Sequence, residues 1–383
     1  MVDLPRPPVG GGTGFGQDKI QDRIIVHERA HFGEQVREES AGRQFAPQHA
    51  VDKKEPKWHW VMRLAVALLC GFYIASVIGI WLFIHVEGDR WWPATMLLFG
   101  PRWILLLPLS VLVPLATALR RRWLWSLLAT VLLIAGPFMD LRITSRGLFP
   151  EDRQPLSVRV LTLNTHFTAV DALQLKQLID QSKPDIVALQ EWFPSNRQII
   201  FPDASWHTIQ LPEALLASPY PIRSVGSPMG ESDVTAGVTY HYIVEIPWRW
   251  VSFYNVHLSS PHNAFRNVLH HSPYGVPRLT FNSIQRLREA ASLHEAADGD
   301  TILAGDFNLP RDSTIFRSEL SGFSDAFTDA GLGYGLTYYS QWTTIRIDHI
   351  LMGKNWYCTR CWLGPDIGSP HRPLVADLSR SQP

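Results

Sequence analysis

The length, composition and charge of the chain exclude several broad classes of protein. It has 383 residues, 46% of them hydrophobic, with 35 Lys and Arg against 35 Asp and Glu. The length leaves room for one large domain or two ordinary ones, and the balanced charge excludes a chain that is polybasic or polyacidic throughout. Three cysteines are too few for a fold that depends on a disulfide framework.

Residues 1–56 are poor in large apolar side chains and rich in Gly, Pro, Gln, Glu and Arg. Because such a segment cannot bury enough surface to offset the entropy of ordering it, we expect a disordered tail at 1–56. The glycine-rich run at 10–16 lacks the Gly-Lys-Ser/Thr of a phosphate loop and follows no apolar strand. That run therefore favours a flexible linker over a nucleotide site.

Three apolar stretches occupy residues 57–140, and we place them at 64–86, 95–119 and 123–139. The first holds 23 residues without a charge, and a spanning helix needs about 20. Tryptophans flank the stretches, as they do at the two faces of a membrane. The pattern predicts three transmembrane helices, because a soluble helical core would keep a polar face. Arg102, near the start of the second stretch, is expected at the interface or against protein.

The distribution of Lys and Arg predicts the orientation of these helices. Four Lys or Arg lie at 53–63, before the first span, and residues 120–122, between the second and third spans, are all Arg. The positive-inside rule places both groups, and with them the tail, in the cytoplasm. Three spans then place residues 140–383 on the far side. We therefore expect an integral protein of the plasma or inner membrane, with an extracytoplasmic domain at 151–383.

Cys358 and Cys361 form a Cys-x-x-Cys pair near the end of the chain. No second Cys pair completes a zinc site. A redox motif would lie between a strand and a helix, and the sequence does not show that arrangement. In an oxidising compartment the two thiols could form a disulfide, so a bonded pair and a free pair both stay open.

From Val158 onward, short β-branched runs alternate with amphipathic stretches. We predict strands at 158–163, 186–190, 235–246, 251–257, 301–305 and 346–352. Helices are predicted over about 168–182 and 278–297, the second with apolar positions at Ile284, Leu287, Ala291 and Leu293. Hairpins mixed with helical crossovers exclude a purely parallel sheet and favour two packed sheets covered by helices.

Polar side chains follow or interrupt the predicted strands, where sites in α/β proteins gather. They are Asn164, His166, Gln190, Glu191, Asn255, His257, Asp306, Asn308, Asp348, His349 and His371. Each has a structural interpretation when taken alone; Asp306, for example, fits the N-cap of the short helix predicted after it. Together they would supply oxygen ligands for a hard cation and imidazoles that bind phosphate or move a proton. The set contains no sulfur ligand and no Gly-x-Ser-x-Gly nucleophile.

The motifs that contain these residues resemble the endonuclease/exonuclease/phosphatase superfamily, over about 158–378. They are Leu161-Thr-Leu-Asn164, Val187-Ala-Leu-Gln-Glu191, Tyr254-Asn-Val-His257, Leu303-Ala-Gly-Asp306-Phe-Asn308, Arg346-Ile-Asp348 and Ser369-Pro-His371. The resemblance implies a four-layer α/β sandwich, with two packed mixed β-sheets flanked by helices. Three transmembrane helices before such a domain look like the bacterial, membrane-anchored members.

The resemblance also implies roles for individual residues. Glu191 would hold Mg²⁺ or Mn²⁺, with Asn164 beside it. Asp306 and Asn308 would position the attacking water and a phosphate oxygen, and His257 would hydrogen-bond the phosphate. A cation is needed there because a phosphodiester is anionic, and charge on its phosphoryl and leaving oxygens must be offset.

His371, oriented by Asp348, would act as general base or stabilise the developing negative charge. A neighbouring carboxylate keeps an imidazole in one tautomer and moves its pKa upward. The last motif of the family usually reads Ser-Asp-His, and its Asp helps to bind the metal. Pro370 stands at that position and offers no side-chain ligand. Metal affinity would then be weaker, or another acid such as Asp366 would substitute.

The implied function is a membrane-anchored, divalent-metal-dependent phosphoric ester hydrolase, and Pro370 keeps open a catalytically inactive phosphate-binding module of the same fold. Residues 151–383 hold 18 Lys and Arg against 23 Asp and Glu, a net charge of −5, which does not favour duplex DNA. Nucleic acid, phospholipid and small phosphate esters stay open as substrates, and the lipid bilayer is the other expected partner. The segment 259–278 either shapes the pocket or is a solvated loop.

Overall fold

The computed structural model describes residues 57–381, apart from 168, 229–236 and 342. The predicted disordered tail at 1–56 lies outside the described residues. The described α-helices are α1 (Lys57–Glu87), α2 (Trp92–Leu98), α3 (Leu109–Leu119), α4 (Trp123–Leu133), α5 (Ser145–Leu148), α6 (Ala172–Ser182), α7 (Arg197–Ile200), α8 (His262–Leu269), α9 (Gly275–Ala296), α10 (Thr314–Glu319) and α11 (Ala326–Ala330). Short 3₁₀ or π turns lie at Arg102–Leu106, Ile134–Phe138 and Pro194–Asn196.

The strands include all six that the sequence pattern predicts. They are β1 (Arg142–Ile143), β2 (Ser157–Asn164), β3 (Ile186–Gln190), β4 (His207–Leu211), β5 (Ala214–Ser218), β6 (Ile222–Gly226), β7 (Val238–Ile246), β8 (Arg249–His257), β9 (Thr301–Asp306), β10 (Ser324–Asp325), β11 (Leu332–Gly333), β12 (Tyr338–Tyr339), β13 (Thr344–Ile345), β14 (Asp348–Met352), β15 (Trp356–Leu363) and β16 (Leu374–Arg380).

Among the described residues, two six-stranded sheets form the centre of the fold. Sheet A has the order β15-β16-β2-β3-β5-β4, and sheet B has the order β10-β14-β9-β8-β7-β6. Each sheet contains one parallel pair, β2–β3 in sheet A and β8–β9 in sheet B. Helix α6 makes the first crossover, and α8 with α9 makes the second. The other pairs are antiparallel, so both sheets are mixed, as predicted.

Apolar side chains divide the fold into four layers. Residues such as Val160 and Phe253 fill the space between the two sheets. The outer face of sheet A packs under α6 through Leu163 and Leu175, and sheet B has its own buried cluster that includes Leu293 of α9. Central strands are therefore buried on both faces, and they read as nearly continuous apolar runs in the sequence.

Two predictions about local structure change in the fold. The helix predicted at about 168–182 begins at Ala172, because the carboxylate of Asp171 accepts from the first free backbone N–H groups. The segment 259–278 is not a loop, because it contains α8 and the start of α9.

Helix α9 is present, and Leu293 of its predicted apolar face is buried, but the rest of its buried face differs from that prediction. Ile284 and Leu287 are 44% and 41% exposed, whereas Arg286 and Glu289 are buried. The two charged residues lie inside because each finds a partner there. Asp89 lies 3.6 Å from Arg286, and Glu289 accepts from the backbone N–H and hydroxyl of Ser259.

Of the three predicted spans, two correspond to helices long and apolar enough to cross a membrane within the described residues, at Lys57–Glu87 and Arg102–Leu119. The third, Trp123–Phe138, is shorter. The second prediction is wrong at its start, because α2 ends at Leu98 and a separate helical segment begins after Pro101. Arg102 faces protein, one of the two places expected for it: its guanidinium donates to Asp312 at 2.9 Å and to the carbonyl oxygens of Leu98 and Phe138.

Cys358 and Cys361 are both buried and unbonded in the described chain. They lie in β15, where the register shifts between Cys358 and Arg360. Burial, and then the neighbouring Cys358, raise the pKa of the Cys361 thiol well above its usual value. The buried, protonated thiol is a poor nucleophile.

Candidate active site

The predicted site residues meet at one edge of the two packed sheets. Asn164 ends β2, Asp306 ends β9, and His257 ends β8. Glu191 follows β3, and Asp348 begins β14, which runs antiparallel to β9. Because the carboxyl ends of the parallel pairs point the same way, these side chains come together from both sheets.

Asn164 links two carboxylates across the sheets. Its amide nitrogen donates to Glu191 Oε1 and to Asp306 Oδ2, both at 3.0 Å. Its side-chain oxygen accepts from the backbone N–H of His166 at 2.9 Å. Because Asn164 is buried and bonded at both ends of its amide, it fixes the positions of the two carboxylates rather than acting as a free polar group.

His371 and Asp348 form a buried pair. His371 Nδ1 lies 2.9 Å from Asp348 Oδ2, and His371 Nε2 lies 3.8 Å from Asp306 Oδ2. Burial alone would lower the pKa of His371, but the charges of Asp348 and Asp306 outweigh it and raise that pKa to about 9. Burial, and then the charge of Asp348, raise the pKa of Asp306. The imidazole is therefore a cation at neutral pH.

His257 and Asn308 complete the set. His257 Nε2 lies 3.6 Å from Glu191 Oε1 and 3.9 Å from Asp306 Oδ2. Both ring nitrogens of His257 are buried without a hydrogen-bond partner among the described residues, so they are available to a ligand. Asn308 donates from its side chain to the carbonyl of Leu258 at 2.9 Å and from its backbone to Asp306 Oδ1 at 2.8 Å.

Three residues of the site hold a left-handed backbone that side chains other than glycine rarely adopt. The φ angles are 46° at His166, 46° at Glu191 and 48° at Asn308. Such conformations cost free energy and persist where the surroundings impose them, often at functional sites. The three residues follow β2, β3 and β9, and the left-handed backbone ends the extended conformation of each strand there.

The structure adds two residues that the sequence pattern did not single out. The ring of Tyr338 lies 4.9 Å from the His371 ring. Burial, then the charges of Asp306 and Glu191, raise the pKa of Tyr338. Ser369 donates to the carbonyl of Asn164 at 2.7 Å. The two-residue strand that contains Tyr338 is too short to show an alternating pattern in the sequence. Its backbone bridge to His371 places Tyr338 at the site.

Two polar residues noted at strand ends, Gln190 and Asn255, lie below the site instead of in it. Gln190 donates to Asn255 Oδ1 at 2.7 Å and to Thr162 Oγ1 at 3.1 Å. Asn255 donates to the carbonyl of Leu189 at 3.1 Å. These buried bonds join the two sheets directly beneath the catalytic edge.

Three other residues do not join the site. Asp366 is exposed and pairs with Arg372 at 3.1 Å, so the suggestion that it substitutes for the acid missing at Pro370 is wrong. His349 points away from its neighbour Asp348, because its ring bonds Asp325 at 2.7 Å. Asp306 does not cap the following helix, since Ser313 caps α10.

Two neighbouring groups of side chains offer ligand atoms that fit a hard divalent cation. Asp306, Asp348 and His371 offer ligand atoms within 4.8 Å of one another. Glu191 and Asn164 form the other group. The Asn164 amide donates to both Glu191 and Asp306, and this links the two groups. Since His371 and Asp348 already engage each other and the oxygen of Asn164 accepts from His166, the carboxylate of Glu191 is the better ligand, with Asn164 beside it. Carboxylate and amide oxygens suit Mg²⁺ and Mn²⁺.

The cleft beside His257 has a volume of about 150 Å³. Its lining includes Ser259, Ser260 and Asn282, together with Glu213 of the β4–β5 turn. The start of the segment 259–278 therefore borders the site, while His270 and His271 at its centre are exposed.

Comparison with known proteins gives the family of the chain. A family model described as the Endonuclease/Exonuclease/phosphatase family matches residues 161–371, more than half of the chain. The chain therefore belongs to the endonuclease/exonuclease/phosphatase family. Its members are hydrolases of phosphate esters that typically use divalent metal ions. No curated protein matches the chain.

Solved structures show similarity over the same domain. An endonuclease/exonuclease/phosphatase from Beutenbergia cavernae DSM 12333 is 16% identical, with a TM-score of 0.40, over 58% of this chain and 72% of that one. D. rerio TDP2 humanised by 14 mutations is 16% identical, with a TM-score of 0.43, over 58% and 99%. D. rerio TDP2 complexed with a single-strand DNA product is 15% identical, with a TM-score of 0.41, over 58% and 99%.

Proposed function

We propose that the chain is a membrane-anchored phosphoester hydrolase that depends on a divalent metal ion, Mg²⁺ or Mn²⁺. One observation carries the proposal: seven polar residues converge from both sheets at one edge, with a buried His–Asp pair among them. They are Asn164, Glu191, His257, Asp306, Asn308, Asp348 and His371. Membership of the family supports the class of reaction.

His371 supplies positive charge where the reaction develops negative charge. Its Nδ1 is held by Asp348, so the Nε2–H faces Asp306 and the open side of the site. With its pKa raised to about 9, the ring is protonated at neutral pH and stabilises a phosphoryl oxygen by hydrogen bond and charge. The carboxylate of Asp306, held by Asn308, orients the attacking water and accepts its proton.

Glu191 would hold the metal, with Asn164 beside it, and the metal when bound offsets charge on the phosphoryl and leaving oxygens. The Asn164 amide keeps Glu191 and Asp306 at fixed separation, so the site is preorganised before substrate arrives. The unpartnered ring nitrogens of His257 provide a donor for a phosphate oxygen.

For the membrane, we propose three spans with the tail and the Arg triplet at 120–122 in the cytoplasm. The catalytic domain touches the ends of the apolar helices that lie away from that triplet. Arg317 bonds the backbone of His85 at the end of α1, and Arg102 at the start of the second span bonds Asp312. This arrangement supports an extracytoplasmic catalytic domain in the plasma or inner membrane.

Reporter fusions after Arg121 and after Arg380 test this topology. We expect a cytoplasmic signal at the first position and an extracytoplasmic signal at the second. A cytoplasmic reporter after Arg380 would contradict the proposed placement of the domain.

Hydrolysis of bis(4-nitrophenyl) phosphate by the full chain in detergent tests the activity. We expect turnover with Mg²⁺ or Mn²⁺, none with chelator, and a loss of at least about 100-fold in His371→Ala and Glu191→Ala. The exposed His270→Ala is the matched control and should keep full activity. Equal turnover with chelator, or unchanged turnover in both site variants, would contradict the proposal.

The alternative function is a catalytically inactive phosphate-binding module. Pro370 favours it, because the residue has no side-chain ligand and Asp366 turns outward. Calorimetry with Mn²⁺ and with inorganic phosphate separates the two functions. A folded chain that binds phosphate but neither binds Mn²⁺ nor hydrolyses any ester would make the binding module the better description.

A further inference from the structure

Helix α9 exposes an apolar stripe. Phe281, Ile284 and Leu287 are 50%, 44% and 41% exposed, and their spacing of three residues places them on one face of the helix. A solvated helix normally has charged or polar side chains on its exposed face. None of the three side chains belongs to a buried apolar cluster of the described residues. An unpartnered apolar face of this kind indicates a surface that something else covers.

The same helix is fixed to the segment that leaves the first span. Asp89 lies in the turn after α1, and its carboxylate lies 3.6 Å from the buried guanidinium of Arg286 in α9. Ser313 donates to that carboxylate at 2.5 Å. The Arg286 guanidinium also lies 5.5 Å from the ring of Phe99, which follows α2. Helix α9 therefore sits beside the chain that emerges from the membrane, held by buried polar contacts.

The emerging segment also reaches the rim of the active site. The carbonyl of Phe99 accepts from Thr343 Oγ1 at 3.1 Å, and the Phe99 ring lies 5.1 Å from the ring of Phe265 in α8. Thr343 belongs to the turn between β12 and β13. Tyr338 of β12 packs on His371 at 4.9 Å. One hairpin thus separates the membrane segment from the catalytic histidine.

Building on the proposed function, we infer that the α9 stripe rests on the bilayer surface and that the site hydrolyses a phosphate ester carried by a membrane lipid. An amphipathic helix binds a membrane by placing its apolar face at the boundary of headgroups and acyl chains. The phosphate of a lipid lies at that level, so it would meet the site with its apolar group still in the bilayer. The net charge of −5 on residues 151–383 disfavours DNA as the substrate.

Contact with lipid is tested without any measurement of activity. A spin label is placed at Ile284→Cys in the full chain in nanodiscs of phosphatidylcholine and phosphatidylglycerol, and its exposure to oxygen and to a water-soluble nickel complex is compared. We expect oxygen to dominate, as for a label in an apolar layer. The control is Ile199→Cys on α7, since Ile199 is 43% exposed on the side of sheet A. Equal nickel exposure at both positions would overturn the inference.

The substrate class is tested with three esters: long-chain phosphatidylglycerol in vesicles, its short-chain soluble analogue, and bis(4-nitrophenyl) phosphate. In the variant Ile284→Glu/Leu287→Glu we expect turnover of the vesicle lipid to fall at least 10-fold. Turnover of both soluble esters should be unchanged, because neither side chain belongs to the site. Ile199→Glu should leave all three rates unchanged.

The outcomes separate this inference from the proposed function. Metal-dependent turnover of soluble esters without any turnover of vesicle lipid would overturn the lipid substrate and leave the hydrolase intact. Faster cleavage of single-stranded DNA than of vesicle lipid at equal phosphate concentration would also overturn it. Absence of turnover on every ester would defeat the hydrolase, and with it the lipid substrate, while the spin-label result would still decide the membrane contact.

Discussion

Asn164 shows how one side chain can organise the site. Its amide donates to carboxylates of both sheets, and the backbone N–H of His166 bonds its oxygen. The motif that ends in Asn164 was visible in the sequence, together with the acidic motifs around Glu191 and Asp306. The sequence predicted that these three residues lie close together only because each lies at the carboxyl end of a predicted strand. Tyr338 could not be found that way, since its contact with His371 comes from a two-residue strand.

The charge of His371 gives a prediction for pH. The full chain without metal should show a His371 titration near pH 9 by nuclear magnetic resonance, because Asp348 and Asp306 raise the pKa to about 9 from 6.5. In Asp348→Asn the midpoint should move to lower pH. Since the folded pKa is the higher one, this interaction stabilises the fold fully below pH 6.5 and is lost as pH rises through 9. The same midpoint in wild type and variant would contradict the role given to Asp348.

Gly305 gives a prediction for stability. Its φ is +151°, and a Cβ there would lie 1.8 Å from the carbonyl oxygen of Val256 in the neighbouring parallel strand. Gly305→Ala should therefore lower the free energy of unfolding by roughly 3 kcal/mol or more. Gly322→Ala is the control, since a Cβ at Gly322 meets nothing within 4 Å. Denaturant unfolding measures both, and equal stability of the two variants would refute this account of the Gly-Asp-Phe-Asn motif.

At the scale of elements, the sequence predicts best where strands are β-branched and bounded by polar residues. The central strands β2, β3, β8 and β9 were all found in this way. The other strands of the two sheets, β4, β5, β6, β10, β15 and β16, were missed. The sequence of β5, Ala-Leu-Leu-Ala-Ser, has no β-branched residue, and β15 lacks clear alternation. Burial between neighbouring strands, not intrinsic preference, makes β5 a strand. The buried face of α9 was predicted only in part, since Leu293 is buried but Ile284 and Leu287 are exposed. Arg286 is buried against Asp89, and Glu289 is buried where it accepts from Ser259.

The elements β10, β14 and α11 are joined by a buried ion network. Arg346 Nη1 donates to both oxygens of Asp325 at 2.8 Å and 3.0 Å, and His349 bonds the same carboxylate at 2.7 Å. Burial opposes ionisation of Asp325, but the charge of Arg346 outweighs it and holds the pKa of Asp325 well below 3.8. This carboxylate therefore stabilises the fold above about pH 3.8, and the effect is lost on acidification.

Arg346→Met tests this network. It leaves the buried Asp325 without its main counter-charge, so we expect a loss of about 3–5 kcal/mol in the free energy of unfolding at neutral pH. The double variant Arg346→Met/Asp325→Leu should recover part of that loss, because the buried carboxylate that Arg346 neutralised is then removed. Denaturant unfolding of both chains provides the comparison. A double variant less stable than Arg346→Met would contradict the explanation.

At the scale of the whole molecule, the apolar helices at 57–140 and the domain at 151–383 share one framework. Strand β1 pairs with β11, Asp140 bonds Arg346, and Asp89 joins α9 to α10. Neither composition nor periodicity could show this, because the partners are more than 180 residues apart in the sequence. The apparent boundary near residue 150, where apolar stretches give way to mixed strands, is therefore a change of composition and not a gap between independent units.

The junction predicts that residues 151–383 alone are less stable than residues 57–383. Arg286→Met in the longer chain leaves Asp89 buried without its counter-charge, so it should cost about 3–5 kcal/mol in the free energy of unfolding. In the shorter chain Asp89 is absent and water reaches Arg286, so the same substitution should cost about 1 kcal/mol or less. Unfolding of the four chains in one detergent measures the difference. Equal costs in both lengths would mean that Asp89 and Arg286 do not couple.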